Sequence, residues 1–294
     1  MRYTGKITKG IAGFYYVWVE DEGEAVCKAK GIFRNRGQKP LVGDLVELEI
    51  TAPGEGSIVQ ILERKNSLIR PAVANVDLVL AVFAVKNPAP QLTLLDRFLV
   101  AIQKQGVEVA VVFNKTDLTE ESETTRLRLI YENAGFKTLT LSAGERPEEA
   151  EEIREMIKGK TTVLSGPSGV GKSTIMNCIK PEAAMETGEI SEKIKRGKHT
   201  TRHTELVHVD KSTFLLDTPG FSSLYLLGIT PQELGDYYPE IKTRKKDCYY
   251  AGCAHINEPD CAVKDALKAG EISQERYNNY TRLYSELVEA CRRF

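Results

Sequence analysis

Long apolar runs are missing from this sequence of 294 residues: no stretch approaches the roughly 18 consecutive apolar residues that a membrane helix needs. The opening residues, Met1-Arg2-Tyr3-Thr4-Gly5-Lys6, also lack the apolar core of a signal peptide. The chain is therefore expected in the cytoplasm, with no membrane to engage. An excess of charge is missing too, since 40 Lys and Arg stand against 41 Asp and Glu, and the composition is that of an ordinary soluble globular protein. Cysteine is sparse. Of six, Cys27, Cys178 and Cys291 are scattered and three cluster near the C-terminus, which in reducing cytosol argues against a disulfide framework and points to a metal site. The length leaves room for two or three domains.

What is present centres on Gly166-Pro167-Ser168-Gly169-Val170-Gly171-Lys172-Ser173, which fits G-x-x-x-x-G-K-S/T at every fixed position. The β-branched run Thr161-Thr162-Val163-Leu164 before it reads as a buried strand, and Thr174 to Ile179 after it as a helix start. In that context the glycines let backbone N–H groups form an anion nest at the positive end of a helix. Lys172 would reach the β- and γ-phosphates, and the Ser173 hydroxyl would ligate Mg²⁺.

Upstream, strands alternate with helices. Asn75 to Phe83 and Val107 to Phe113 read as buried parallel strands, Leu92 to Gln105 and about 121 to 134 as helices, and Thr138 to Leu141 as a further strand. That alternation implies a doubly wound sheet with ligand loops at the carboxyl ends of its strands. At one such end stands Asn114-Lys115-Thr116-Asp117, with the spacing N-K-x-D. A carboxylate at Asp117 can accept from guanine N1–H and the 2-amino group, whereas adenine offers neither donor and would leave it unpaired. Asn114 can brace the loop and face the purine N7 edge, the Lys115 stem can cover one face of the base, and the Ser142-Ala143 backbone can donate to guanine O6.

Downstream of the phosphate loop, Glu186 to His203 is polar and basic, as a switch loop or a solvated loop would be. Strand Lys211 to Leu216 then ends in Asp217-Thr218-Pro219-Gly220, a D-x-x-G motif. Asp217 would hold Mg²⁺ through water and the Gly220 amide would face the γ-phosphate. The parts are those of a GTPase, but the base-reading loops precede the phosphate loop, so the order is circularly permuted. Phe221 follows Gly220 where Ras-like enzymes carry the Gln that orients the attacking water. His199 is the candidate to replace it; a solvent-exposed loop histidine is the alternative.

The remaining segments flank this core. Residues 1–64 read as short alternating strands, among them Gly13 to Val19, Leu45 to Ile50 and Ser57 to Leu62, and suggest an oligonucleotide-binding type of barrel. Lys28, Lys30, Arg34, Arg36 and Lys39 form a run without acids that suits phosphate contacts, with aromatics nearby to stack on bases. A solvated basic loop and barrel-filling aromatics account for it equally. Residues 65–229 hold the GTPase motifs. In residues 230–294, Cys248, Cys253, His255 and Cys261 make a Cys3His set that suits structural zinc, with Lys242, Arg244, Lys245 and Lys246 around it. Ser273 to Arg293 reads as a closing helix with Tyr277, Tyr280, Leu283, Tyr284 and Leu287 on one packing stripe. The architecture expected is thus an N-terminal barrel, a permuted α/β P-loop GTPase domain and a mainly helical zinc-binding domain.

Asn114 to Asp117 before Gly166 to Ser173 before Asp217 to Gly220, followed by Cys248, Cys253, His255 and Cys261, resembles one family across essentially the whole chain: the bacterial ribosome small-subunit-dependent GTPase A family (RsgA, YjeQ, YloQ). Lys198-His199-Thr200-Thr201 is similar to that family's switch segment. The resemblance implies that Thr201 is the Mg²⁺-sensing threonine and His199 the catalytic residue. It implies a factor in late 30S maturation whose GTP hydrolysis to GDP is stimulated by the subunit, with barrel and zinc domain on 16S rRNA; a monomer is expected. Two rivals stand beside it. One is a GTP-gated RNA-binding module with incidental hydrolysis, which Phe221 keeps open. The other is an ATPase or nucleotide kinase using the phosphate loop, which Asn114 and Asp117 oppose.

Overall fold

Period-two alternation builds the N-terminal part of the computed structural model, which describes residues 2–29, 39–69, 71–183, 204–218, 226 and 228–292. Strands β1 (Arg2–Ile11), β2 (Phe14–Val19), β3 (Gly23–Ala29), β4 (Leu45–Ala52) and β5 (Glu55–Ile61) close into a barrel in the order β1-β2-β3-β5-β4. Its interior is Ile7, Val17, Val19, Ala25, Cys27, Val46, Leu48 and Ile58, one face of each strand. Gly5 lets β1 and β2 approach, because a Cβ there would lie 2.6 Å from Val17 Cγ1 and 2.7 Å from the Trp18 carbonyl oxygen. At the barrel's exit, buried Asp44 accepts from Arg64 Nε at 2.7 Å and from the Leu41 amide at 2.7 Å. A short pair, β6 (Ser67–Leu68) and β7 (Val73–Ala74), follows.

The next elements in chain order are β8 (Leu78–Ala84), α1 (Leu92–Lys104), β9 (Glu108–Asn114), α2 (Glu121–Glu132), β10 (Thr138–Leu141), α3 (Glu151–Ile157) and β11 (Thr161–Ser165). Then come α4 (Lys172–Ile179), β12 (Leu206–Asp210) and β13 (Thr213–Asp217). Strands β10, β9 and β8 lie side by side in that order, and so do β11, β13 and β12. The pairs β10/β9 and β11/β13 are parallel, while β12 runs antiparallel to β13. All of β8 and β11 is buried, as expected of strands covered on both faces.

By its contacts the chain separates into two units, each assembled from several stretches. The first comprises Met1–Val79, Pro147–Ser165 and Lys172–Pro219, the second Leu80–Arg146, Gly166–Gly171 and Gly220–Phe294. Within the first, the barrel is fastened to the sheet's edge. Lys9 pairs with Glu205 at 2.7 Å, the Trp18 ring stacks on His208 at 3.9 Å, and the Lys6 ammonium lies 4.6 Å from the centre of the Phe214 ring. The outward aromatics of β2 therefore do not fill the barrel, and Trp18 already has a ring to stack on.

Within the second unit, a capped 3-10 turn (Pro231–Tyr237) leads to α5 (Pro239–Lys242), α6 (Ala262–Lys268) and α7 (Gln274–Arg292). Leu234, Tyr238, Ile241, Val263, Tyr280, Leu283 and Leu287 pack with Val100 of α1. The closing helix falls where its stripe of Tyr280, Leu283 and Leu287 places it, but it also buries Arg276, only 1% exposed. Arg276 Nη1 donates to Asp96 Oδ1 of α1 at 2.5 Å and Nε to Glu240 Oε1 at 2.8 Å. Asp96 also accepts from Tyr131 at 2.9 Å and Asn279 at 2.8 Å, and the guanidinium sits 4.4 Å from the Tyr238 ring centre. The strand expected at Lys211 to Leu216 is the second arm of a β12–β13 hairpin that turns at Lys211, where φ is +33°.

Candidate nucleotide and metal sites

Strand β9 delivers Asn114 to the sheet's carboxyl edge, and the chain turns there because Lys115 takes a left-handed φ of +65°. Asn114 is 2% exposed and both ends of its amide are engaged. Nδ2 donates to the Val170 carbonyl at 2.9 Å, and Oδ1 accepts from the Ala143 amide at 3.1 Å. One buried side chain thus joins the N-K-x-D loop, the Ser142-Ala143 loop and the glycine loop. It also explains a glycine: at Gly171, with φ +96°, a Cβ would lie 2.2 Å from Asn114 Nδ2. Gly166 is needed for the same kind of reason, its Cβ position being 2.0 Å from the Val82 carbonyl oxygen.

The bracing expected of Asn114 is present. The amide of Ala143, expected to donate to guanine O6, here donates to Asn114. Lys115 Nζ donates to the Asn87 carbonyl at 2.6 Å, exposed Asp117 accepts from the Ser142 hydroxyl, and Arg146 donates to Thr116 Oγ1 at 3.0 Å. Along the loop, Pro167 is half-buried, Ser168 and Gly169 are exposed, and Val170 is buried.

In the first unit, Lys172 opens α4 and is 7% exposed, with Ser173 and Thr174 half-buried behind it. Ser173 Oγ donates to Asp217 Oδ2 at 3.0 Å, across the parallel register that sets Leu164 of β11 beside Asp217 of β13. Thr218 is pinned by its hydroxyl to the Leu164 carbonyl at 2.9 Å, which fixes the chain just past Asp217. A hydroxyl beside a carboxylate is a hard-oxygen donor set that fits Mg²⁺. His199, Thr201, Gly220 and Phe221 lie outside the described residues.

Near the C-terminus the donor atoms of Cys248, Cys253, His255 and Cys261 all lie within 4.8 Å of one another. Cys248 Sγ and Cys261 Sγ are 3.9 Å apart, and His255 Nδ1 is 3.5 Å from the first and 3.4 Å from the second. A tetrahedron with Zn–S bonds of about 2.3 Å has edges of about 3.8 Å, so these separations fit zinc. Burial lowers the His255 imidazole, which favours the neutral ring that a metal takes. Burial first, then the neighbouring thiols, push the Cys253 thiol up to about 12, so a thiolate there calls for a cation.

Sequence reasoning missed what holds the loop of the Cys/His cluster. Glu258 accepts from the amides of Ala254 at 2.7 Å, Ile256 at 3.0 Å and Asn257 at 3.1 Å. Tyr277 donates to the His255 carbonyl at 2.7 Å and Tyr280 to the Ala254 carbonyl at 3.0 Å. The sequence offered one signal, a carboxylate set among the four candidate ligands; the tyrosines looked like packing.

Comparison with known proteins adds a family. A model described as the RsgA GTPase matches residues 61–227 and one described as the RsgA N-terminal domain matches residues 4–58. A small ribosomal subunit biogenesis GTPase RsgA from Agathobacter rectalis is 49% identical, covering 97% of this chain and 98% of its own. One of the same name from Alkaliphilus metalliredigens is 46% identical over 96% of this chain and 97% of its own. Among solved structures, YloQ, described as a circularly permuted GTPase, is 36% identical with a TM-score of 0.82, covering 99% of this chain and 96% of that one. YjeQ from Thermotoga maritima is 35% identical with a TM-score of 0.83, covering 98% and 99%. With its permuted motifs matched along nearly its whole length, the chain belongs to the RsgA GTPase family.

Proposed function

We propose that this chain is a Mg²⁺-dependent GTPase, converting GTP to GDP and phosphate, that assists late maturation of the 30S ribosomal subunit and is stimulated by it. The observation that carries the reading is Asn114, whose one buried amide bonds both the Ser142-Ala143 loop and the glycine loop. That contact between loops far apart in sequence supports their joint use in base and phosphate recognition. The names of the relatives, small ribosomal subunit biogenesis GTPases, support the subunit as partner.

In this reading Asp117 accepts from guanine, the Lys115 stem covers the base, and Asn114, Ser142 and Ala143 hold the pocket's shape. Gly166, Pro167, Ser168, Gly169, Val170 and Gly171 wrap the phosphates with backbone N–H groups, while Lys172 neutralises their charge and Thr174 continues the helix behind them. Ser173 and Thr201, with Asp217 through water, would hold Mg²⁺, which would supply positive charge against the charge that develops on the phosphates. The Gly220 amide faces the γ-phosphate, and His199 orients the attacking water where Phe221 cannot. Residues 1–64 and 230–294 contact 16S rRNA on either side of the GTPase segment, 65–229. Cys248, Cys253, His255 and Cys261 hold a structural zinc whose four protein ligands leave no open position. The protein acts as a cytoplasmic monomer; none of the described helices is long and apolar enough to cross a membrane.

The test is GTP turnover by the purified protein alone and with 30S subunits, 50S subunits or naked RNA. Stimulation by 30S subunits alone is expected. A flat response to every addition would sink the hydrolytic role and leave a GTP-gated RNA-binding module.

A further inference from the structure

The loop between the first two metal ligands is short, and it displays two large aromatic rings to solvent. Tyr249 is 78% exposed, the most exposed large hydrophobic residue among those described, and its neighbour Tyr250 is 43% exposed. Their rings meet edge to face with centres 5.0 Å apart. Neither belongs to the core cluster that Tyr280, Leu283 and Leu287 form beneath them in sequence. Paired exposed aromatics outside the core are informative in a way that a single exposed side chain is not.

The loop is also held in place. Cys248 and Cys253 anchor its two ends, the Cys253 amide donates to the Tyr250 carbonyl at 3.2 Å, and the Tyr249 amide to the Asp260 carbonyl at 3.4 Å. Glu258 fixes the adjoining stretch through its three amide bonds. Rings on such a loop have little backbone freedom to lose on binding. The turns that lead into Cys248 carry Lys242, Arg244, Lys245 and Lys246 against one acid, Asp247. Arg244 is spent on Glu271 and Lys245 on Asp236, whereas exposed Lys242 and Lys246 have no acidic partner among the described residues.

We propose that Tyr249 and Tyr250 form a stacking platform for unpaired RNA bases, with Lys242 and Lys246 on the adjoining phosphates. The chemistry favours RNA over a protein partner. Every base offers a π-face, so rigid tyrosines take any of them, and exposed ammonium groups a few residues before the rings in the chain suit a backbone of phosphates. The proposal rests on the small subunit being the partner, and it names the groups through which residues 230–294 would touch it.

The experiment uses the full-length, zinc-loaded protein with a non-hydrolysable GTP analogue and measures affinity for 30S subunits. Replacing both rings, Tyr249→Ala with Tyr250→Ala, is expected to weaken binding roughly tenfold or more, from the usual strength of base–aromatic stacking. The double change Tyr249→Phe with Tyr250→Phe should stay within about twofold of wild type, because the π-faces remain. Zinc content and subunit-free GTP turnover serve as folding controls and should not change. A photoreactive benzophenone at position 249 should crosslink to RNA. Wild-type affinity in the alanine pair, or crosslinks to protein alone, would overturn the platform. If the wild-type protein itself fails to bind 30S subunits, the proposed function falls instead.

Discussion

Asn114 carries more of the site than its size suggests, because the groups it satisfies are backbone groups of other loops. Asn114→Ala would remove the bonds to the Val170 carbonyl and the Ala143 amide, at about 1–3 kcal/mol for each buried polar group whose bond is lost. Much of that would appear as loop disorder rather than global unfolding, so GTP and GDP affinities should fall roughly tenfold or more. Titration with a fluorescent guanine nucleotide reads this directly; an unchanged affinity would mean the loops hold their shape without it. Asp117 makes a different prediction. In the proposed reading its carboxylate accepts where guanine donates, and xanthine presents an acceptor at that position, so Asp117→Asn should lose affinity for GTP and gain it for xanthosine triphosphate. Competition between the two nucleotides decides the matter, and a preference still for guanine would remove Asp117 from base recognition.

At the scale of elements, α7 is fastened to α1 through Arg276, which lies between Asp96 and Glu240 with almost no exposure. Arg276→Met leaves both carboxylates buried without their cation, and breaking such a pair costs about 3–5 kcal/mol. The loss has a pH signature. Burial already raises the Asp96 carboxyl, with Arg276, Asn279 and Tyr131 pulling against it, and removing Arg276 lets it rise further. A carboxyl whose folded pKa lies above the unfolded value of about 3.9 binds its proton more tightly when folded. Its folded state is therefore favoured at low pH and loses ground as pH rises from about 4 toward the raised value. The deficit of the variant in urea unfolding should grow over that span; a deficit independent of pH would place the damage in packing alone. Metal removal tests the neighbouring loop. Chelation, or Cys253→Ser, should melt α6 and destabilise α7, because structural zinc supplies folding free energy, and an unaltered thermal transition would argue against a bound metal.

The same elements show what a single sequence can disclose. Strands β8, β9 and β11 were legible because continuous burial leaves an apolar run, and β10 fell at the residues read for it. Strands β1, β3 and β12 were not. Arg2 to Ile11 offers the interior little beyond Ile7, with Gly5 standing where Val17 needs the space, and β3 fills the barrel with small Ala25 and Cys27. Such strands exist because partners close over them, and pairing is invisible to periodicity. Motifs can be read without the fold, because phosphate and metal chemistry fixes spacing within a few residues. Arg276 and Glu258 escaped for the opposite reason: in sequence one is a charge on a polar helix and the other an acid in a loop. Asp96 lies 180 positions from Arg276, and only the fold brings them together.

For the whole molecule the balance of charge sets how it can find its partner. A net charge of −1 spread over 294 residues gives no long-range pull toward a polyanion, unlike a protein whose surface is basic throughout. In the proposed reading, attraction to RNA comes from local clusters such as Lys242 to Lys246, each neutralising a few phosphates. Because log affinity falls by about 0.9 per phosphate contact for each tenfold rise in salt, a few contacts give weak binding near physiological salt, about 0.15 M. Naked RNA should then neither bind tightly nor stimulate GTP turnover at that salt, while 30S subunits, which offer several sites held in fixed geometry, should do both. Lowering salt to about 50 mM should raise affinity for naked RNA without raising turnover, since proximity to phosphate does not by itself arrange the catalytic loops. Equal stimulation by naked RNA and by 30S subunits at about 0.15 M salt would show that local charge suffices and that the subunit's shape is not being read.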